Sequence, residues 1–309
     1  MTCRICIVLL LLDMTFMQLE YRSVSGNCLI AFHTNNLTFF ITFCCLVVGR
    51  DSFLEAMRNS VSSQGVYQID LHQSLEEGGR VQFHRPSDST TSPMKGRGSN
   101  PERVTGRGDG SLISTKYTGI AIYLHERFEE EVTVLSVAKF AFSPVTSKGG
   151  AAVALSFAGR TVVFASCHLE AHHDKVELRR EQYRTLVIQL GSALAEEGFH
   201  LNEQFHHIIW VGDMNYRLCV LHDDQESYLP MSSDTAQLML ENSQNRVLFN
   251  KHDQFNLEKR RREIFYGYRE ANPFPNFFPT YKKIENRPPV NFRWVACNAI
   301  YYICSTCLL

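Results

Sequence analysis

The apolar positions of this 309-residue chain fall into short continuous runs parted by turn residues, with helical stripes between some of them. Runs at 118–124 and 132–142 have the length and β-branched content of buried strands. Two more, 151–157 and 161–167, flank Ala158-Gly159-Arg160 and predict a hairpin. A run at 206–211 leads into Gly212-Asp213, and a further strand is expected at 66–71. Residues 174–197 read as a helix whose inner stripe is Tyr183, Leu186, Val187, Leu190 and Leu194. Helices are also expected at 234–250 and 257–269, and residues 52–59 resemble the end of an amphipathic helix carrying Phe53, Leu54 and Met57. Strand pairs interrupted by helices imply a layered α/β fold with a mixed sheet.

The flanks break this rhythm. Residues 5–12 form an apolar run behind Arg4, resembling a signal-peptide core but without a clear small-residue cleavage site. A second run at 38–48 is too short to span a membrane as a helix. Asn36-Leu37-Thr38 is a glycosylation sequon, meaningful only in a secreted chain. Residues 1–50 are therefore expected to stand apart from the domain at 51–285, and residues 286–309 form an atypical Cys- and aromatic-rich tail. Within the domain, 76–111 is rich in Gly, Ser, Pro, Thr and Arg and is expected to be a disordered insertion. Its Arg107-Gly108-Asp109 triplet arises easily in such a loop, and its six basic residues from Arg80 to Arg107 suit a solvated loop or an acidic lipid surface.

Composition narrows the class. A content of 44% hydrophobic and 20% charged residues suits one large or two small globular domains. A net charge of −1 gives no global pull toward nucleic acid or membrane, so an anionic ligand must be met by a local cluster of cations. The 10 cysteines show no disulfide framework, and Cys3-x-x-Cys6 and Cys304-x-x-Cys307 lack a matching second pair. Reduced thiols and a cytoplasmic location are the expectation.

Candidate chemistry gathers at the ends of predicted strands. Asp213 and Asn215 stand two apart after Gly212, so in extended geometry they project to the same side. A carboxylate and an amide placed together can orient a water beside a phosphoryl oxygen, although Asp, Asn and Gly are also common turn formers. Ser166-Cys167-His168-Leu169-Glu170-Ala171-His172 ends another strand and puts His168 at the mouth of the sheet, as a phosphate ligand, a proton donor or a capping histidine. Ser147-Lys148-Gly149-Gly150 lets an ammonium and backbone amides approach an anion, or forms a plain hairpin turn. Phe278-Pro279-Thr280-Tyr281-Lys282 ends a rigid turn in a hydroxyl and a cation.

In this order the motifs resemble those of the inositol polyphosphate 5-phosphatase family, in particular its SH2-containing and synaptojanin-type catalytic domains. Trp210 to Arg217 is similar to WxGDxNYR, Phe278 to Lys282 to PTYK, Ser147 to Val153 to GNKGAV with serine for asparagine, and Ser166 to His172 to NSHLAAH. His252-Asp253-Gln254-Phe255 with Phe265 to Glu270 resembles the intervening DQL…F.GF.E stretch. The resemblance runs from about residue 119 to 282. It implies a four-layer α/β/β/α sandwich of the DNase-like endonuclease/exonuclease/phosphatase superfamily, here incomplete. It also implies Mg2+-dependent hydrolysis of the 5-phosphate of phosphoinositides or soluble inositol polyphosphates, by a protein peripheral to membranes. By position, Asp213 would activate water, Asn215 would steady the scissile phosphate and His168 would contact it. Lys148, Arg217, Tyr281 and Lys282 would bind substrate. Such transfer depends on positioning and positive charge rather than covalent help.

The departures set the alternatives. The family's TWN strand and the QE glutamate that binds Mg2+ find no match in 1–52; Gln18-Leu19-Glu20 and Gln68-Ile69-Asp70 are poor substitutes. After Lys282, the family's PxWCDRIL and SDHxPV segments are replaced by Lys283-Ile284-Glu285-Asn286-Arg287-Pro288-Pro289 and the tail. Truncation at both ends and impaired catalysis are therefore expected. The chain then reads as a truncated 5-phosphatase, as a non-catalytic headgroup-binding homologue, or as another superfamily enzyme such as an endonuclease or sphingomyelinase. The PTYK motif and the near-neutral charge argue against nucleic acid.

Overall fold

The computed structural model describes residues 62, 65–85, 118–120, 122–143, 148–195, 199–221 and 227–268, together with the backbone of the strands named below. The first sheet holds β1 (Cys3–Ile7), β2 (Met17–Val24), β3 (Asn27–His33), β4 (Thr38–Cys44), β5 (Val66–Ile69), β6 (Phe83–His84), β7 (Glu102–Thr105) and β8 (Tyr117–His125). The second holds β9 (Val132–Ala141), β10 (Gly149–Phe157), β11 (Arg160–His168) and β12 (His207–Asp213). Two short hairpins follow: β13 (Cys219–Leu221) with β14 (Tyr228–Pro230), and β16 (Tyr281–Lys283) with β17 (Phe292–Ala296). β15 (Arg269–Glu270) and β18 (Ile303–Thr306) extend the second sheet, in the order β15-β18-β12-β11-β10-β9. The helices are α1 (Leu71–Glu76), α2 (Val176–Leu194), α3 (Leu201–Gln204), α4 (Ser233–Glu241) and α5 (Gln254–Arg260).

β10, β11 and β12 are buried and apolar on both faces over most of their length, and this explains their continuous runs. Ala151, Val153, Leu155, Phe164, Ile209 and Val211 turn toward the first sheet and join Ile120, Ile122 and Leu124 of β8 in one core. The alternate residues Ala152, Ala154, Val163, Ala165, Ile208 and Trp210 turn the other way. They meet Tyr183, Leu186, Leu190 and Leu194, the predicted inner stripe of α2. Two facing sheets and a helical layer are thus described, and the expected helix at 52–59 lies outside the described residues. Among the described residues no helix is long and apolar enough to cross a membrane.

Several boundaries move, for local reasons. In the part expected to stand apart, the backbone of β1 to β4 extends the first sheet, with β4 pairing antiparallel to β8. The stretch expected to be disordered from 76 is ordered as far as Arg85, because Val81 is buried in the inter-sheet core. Gly79 lets that segment lie against β9: its carbonyl accepts from Val134 N at 2.8 Å, and a Cβ there would sit 2.6 Å from Val134 O. Residues 107–109 lie outside the described residues.

The helix expected at 234–250 breaks after α4, where Ser243 takes φ +59° and Gln244 N bonds back to Met239 O. A helical turn at Asn245–Val247 then runs into a wide turn at Leu248–His252. The helix expected at 257–269 starts earlier, because Asp253 caps Phe255 N and Asn256 N. It ends at Arg260, and the apolar residues beyond it form a bend whose Phe265 packs on Tyr183 and Trp210.

Candidate active site

β11 and β12 are parallel and in register, His168 beside Asp213, so two strands from distant parts of the chain end at one point. Side chains there lie at the carboxyl ends of parallel strands, where open α/β sheets place ligands. The close approach depends on Gly212, whose φ is +138° and whose hypothetical Cβ would lie 2.0 Å from Cys167 O. Lys148 comes in from the turn before β10, whose first residue pairs with His168.

Five predicted site residues converge. Lys148 Nζ lies 2.6 Å from His168 Nε2 and donates to Leu169 O at 2.6 Å. An ammonium donor needs a lone pair on Nε2, which puts the imidazole proton on Nδ1. His168 Nε2 is 3.8 Å from Asp213 Oδ2. Asp213 Oδ1 accepts from Asn215 N at 3.1 Å, while Asn215 Nδ2 donates to Leu169 O at 2.8 Å and Arg217 Nη2 donates to Asn215 Oδ1 at 2.9 Å. Tyr281 and Lys282 lie on β16, and their side chains are outside the described residues.

One expectation about this cluster needs correcting. Asp213 and Asn215 do not meet through extended alternation, because Asn215 has φ +58° and the pair closes an Asx turn. The turn and the chemistry are compatible: left-handed backbone that asparagine tolerates folds the amide back over the carboxylate.

Electrostatically, burial pushes the Asp213 carboxyl above its ordinary value, while Lys148 and Arg217 pull it down. A carboxylate kept basic beside an ammonium and a guanidinium can accept a proton from water, and the same cations can meet an anion. Metal ligands are sparser. Among the described residues no group of three or more His, Cys, Asp and Glu could hold an ion. Among the described residues Asp213 is the one acidic side chain in this cluster, and the Asn215 side-chain carbonyl accepts from Arg217. These residues alone do not fit a resident metal centre.

Sequence reasoning missed the scaffold behind the cluster. Arg179 is fully buried on α2 and donates to Glu170 O (3.0 Å), His172 O (2.6 Å) and Gln254 Oε1 (2.6 Å), with its guanidinium 4.7 Å from the Tyr216 ring centre. Burial draws its pKa down to about 10, so it remains a cation at neutral pH. Gln254 Oε1 also accepts from Arg217 N at 3.2 Å, and Gln182 Oε1 accepts from Glu170 N at 2.8 Å. The loop that supplies Leu169 O is thereby tied to α2 and α5. The available signal was an arginine on the apolar stripe between Val176 and Tyr183, a position that water cannot reach.

Residues 114–289, more than half of the chain, match the family described as Endonuclease/Exonuclease/phosphatase family 2. Phosphatidylinositol 3,4,5-trisphosphate 5-phosphatase 2A of Danio rerio is 30% identical over 159 residues, which is 51% of this chain and 12% of that protein. Phosphatidylinositol 4,5-bisphosphate 5-phosphatase A of Rattus norvegicus is 32% identical over 136 residues, 44% of this chain and 12% of that protein. The matches thus span about an eighth of these curated relatives. Among solved structures, the inositol polyphosphate 5-phosphatase domain of a synaptojanin, in complex with inositol (1,4)-bisphosphate and a calcium ion, superposes with TM-score 0.50 at 17% identity, covering 68% of this chain and 57% of that one. A Cimex nitrophorin, solved as a ferrous NO complex, reaches 0.51 at 13% identity, covering 83% and 69%. The architecture therefore carries more than one chemistry. On the extent of the family match, the chain belongs to endonuclease/exonuclease/phosphatase family 2, with a DNase-like α/β sandwich and phosphoinositide 5-phosphatases among its relatives.

Proposed function

We propose that this chain carries a phosphoinositide 5-phosphatase site, acting on the phosphorylated inositol headgroup of a lipid or on a soluble inositol polyphosphate. The observation that supports it most is the convergence of Lys148, His168, Asp213, Asn215 and Arg217 at the ends of β11 and β12. In this reading Asp213 takes the proton of the attacking water, and Asn215, fixed by Leu169 O and Arg217, positions a phosphoryl oxygen. Lys148 and His168 leave their mutual bond to meet the phosphate, because an anion offers the ammonium a stronger partner than a neutral imidazole. Tyr281 and Lys282 would bind a second phosphate. Mg2+ is the proposed cofactor by resemblance, but no step is assigned to it, since the residues described at the site do not form its cage. The proposed setting is the cytoplasmic face of a membrane, with no role for nucleic acid.

A headgroup-binding protein with little turnover is the second reading. It is favoured by Asp213 being the one carboxylate among the described residues of the cluster. One experiment separates the two: calorimetric binding of inositol 1,4,5-trisphosphate alongside phosphate release, with and without Mg2+. Binding with release that Asp213→Ala abolishes supports the enzyme. Binding without release supports the second reading, and no binding refutes both.

A further inference from the structure

A second feature of the molecule is absorbed neither by the core nor by the cluster at Asp213. Residues 246–268 carry six lysines and arginines against three carboxylates, in a chain whose net charge is −1. The three carboxylates are already engaged: Asp253 caps α5, buried Glu258 is held by Arg180 and Tyr228, and Glu263 pairs with Arg184. The cations lie on adjoining turns, because Arg260 donates to Asn250 O and Asn256 Nδ2 donates to Phe249 O at 3.0 Å. Arg246, Lys251, Arg260 and Arg262 are exposed there, next to Tyr266, which is 62% exposed and lies under the Arg262 guanidinium at 4.9 Å.

The helix dipole accounts for Lys259 and Arg260, which sit in the last turn of α5. It does not account for Arg262. That residue occupies the position after the helix end, with φ +63° and with Glu263 N bonded back to Glu258 O at 3.2 Å, where glycine is least strained. A strained arginine stacked on an exposed tyrosine points to a use outside folding.

We propose that this ridge, the turn 246–251 with Arg260, Arg262 and Tyr266, docks the domain on an anionic lipid bilayer. The choice of a bilayer rests on the phosphoinositide reading above, because such a substrate is displayed on an anionic surface. α5 starts at Gln254, which holds Arg217 N of the site, and Arg260 and Arg262 of the ridge follow at its other end, about 10 Å along the helix, where Arg260 ties in the turn 246–251 through Asn250 O. Cations of this kind each strengthen attachment severalfold and lose effect as salt rises, while a tyrosine suits the headgroup layer. The sequence puts Asp223, Asp224 and Glu226 between β13 and β14, so that hairpin is left out of the surface.

The test is sedimentation of the full chain with vesicles of phosphatidylcholine containing about 30 mol% phosphatidylserine and no phosphoinositide, against pure phosphatidylcholine. Binding to the anionic vesicles is expected to weaken more than about tenfold in Arg260→Glu/Arg262→Glu, and about fivefold in Arg262→Gly. Arg262→Gly relieves the backbone, so it should fold at least as stably as the parent, which separates lost docking from lost structure. Inositol 1,4,5-trisphosphate binding, measured apart, should be unchanged in both variants. If it is absent from the parent while vesicle binding is present, the 5-phosphatase reading fails and the docking surface stands. The proposal is overturned if the parent does not prefer anionic vesicles, if the variants bind them equally well, or if single-stranded DNA is captured while vesicles are not.

Discussion

Arg179→Met probes how the buried scaffold supports the site. The arginine makes three hydrogen bonds, two of them part-buried, to the Glu170 and His172 carbonyls, and one buried, to Gln254 Oε1. At about 1.8 kcal/mol each, in the lower part of the range for a charged donor, they contribute about 5.5 kcal/mol. Burial offsets part of this: drawing the guanidinium pKa from its ordinary value down to about 10, at about 1.4 kcal/mol per pH unit, costs about 3.5 kcal/mol, which methionine recovers. The balance is a loss of about 2 kcal/mol, or a fall in melting temperature of about 4–8 °C for a domain of this size. The loss should also be local, because Glu170 and His172 anchor the loop whose Leu169 carbonyl holds both Lys148 and Asn215. Urea unfolding measures the first quantity. The Asn215 side-chain amide resonances and inositol 1,4,5-trisphosphate affinity report the second, and Arg179→Lys should restore part of both. A stability change below about 1 kcal/mol would mean the three bonds are not made. A full stability loss with unchanged Asn215 resonances would reduce Arg179 to a core residue without influence on the site.

Gly212→Ala should destabilise the fold by more than about 4 kcal/mol or prevent soluble expression, because its Cβ would meet Cys167 O at 2.0 Å and Cys167 N at 2.7 Å; a melting temperature within a few degrees of the parent would refute this. His207, whose imidazole is pushed down to about 4 from 6.5 chiefly by burial, binds fewer protons folded than unfolded between those values, so stability should fall as pH drops from 6.5 toward 4. His207→Gln should flatten that slope by up to about 2 kcal/mol after allowing for partial solvent access, as followed by urea midpoints across the window. Asp213 has a raised carboxyl pKa, so its ionised form weakens the folded state as pH rises above its unfolded value. Asp213→Asn should raise the melting temperature at pH 7 while abolishing any phosphate release, the trade-off expected of a site held for chemistry; a lower melting temperature would count against the burial argument.

What could be read along the chain was whatever a local period or a compact motif encodes. The strands β8 to β12 follow from continuous apolar runs and the α2 stripe from a period of 3.6, and the cluster residues were nameable because they sit beside the ends of those runs. Short-range chemistry misled where it competed with that rhythm. Ser243 and Arg262 end helices in left-handed backbone that a polar, helix-compatible sequence does not announce, and Asn215 reaches Asp213 through a turn rather than strand alternation.

Other features exist only in three dimensions. His168 and Asp213 are 45 residues apart in number, and parallel pairing of β11 with β12 makes them neighbours. No local signal marks Leu169 O as the shared acceptor of Lys148 and Asn215, because a backbone carbonyl has no sequence identity. The arginine at 179 and the glutamine at 254 read as ordinary helix residues until packing removes water from around both. Residue type decided which groups could do chemistry; burial and strand register decided which of them meet, since both depend on contacts between segments that no stretch of sequence contains on its own.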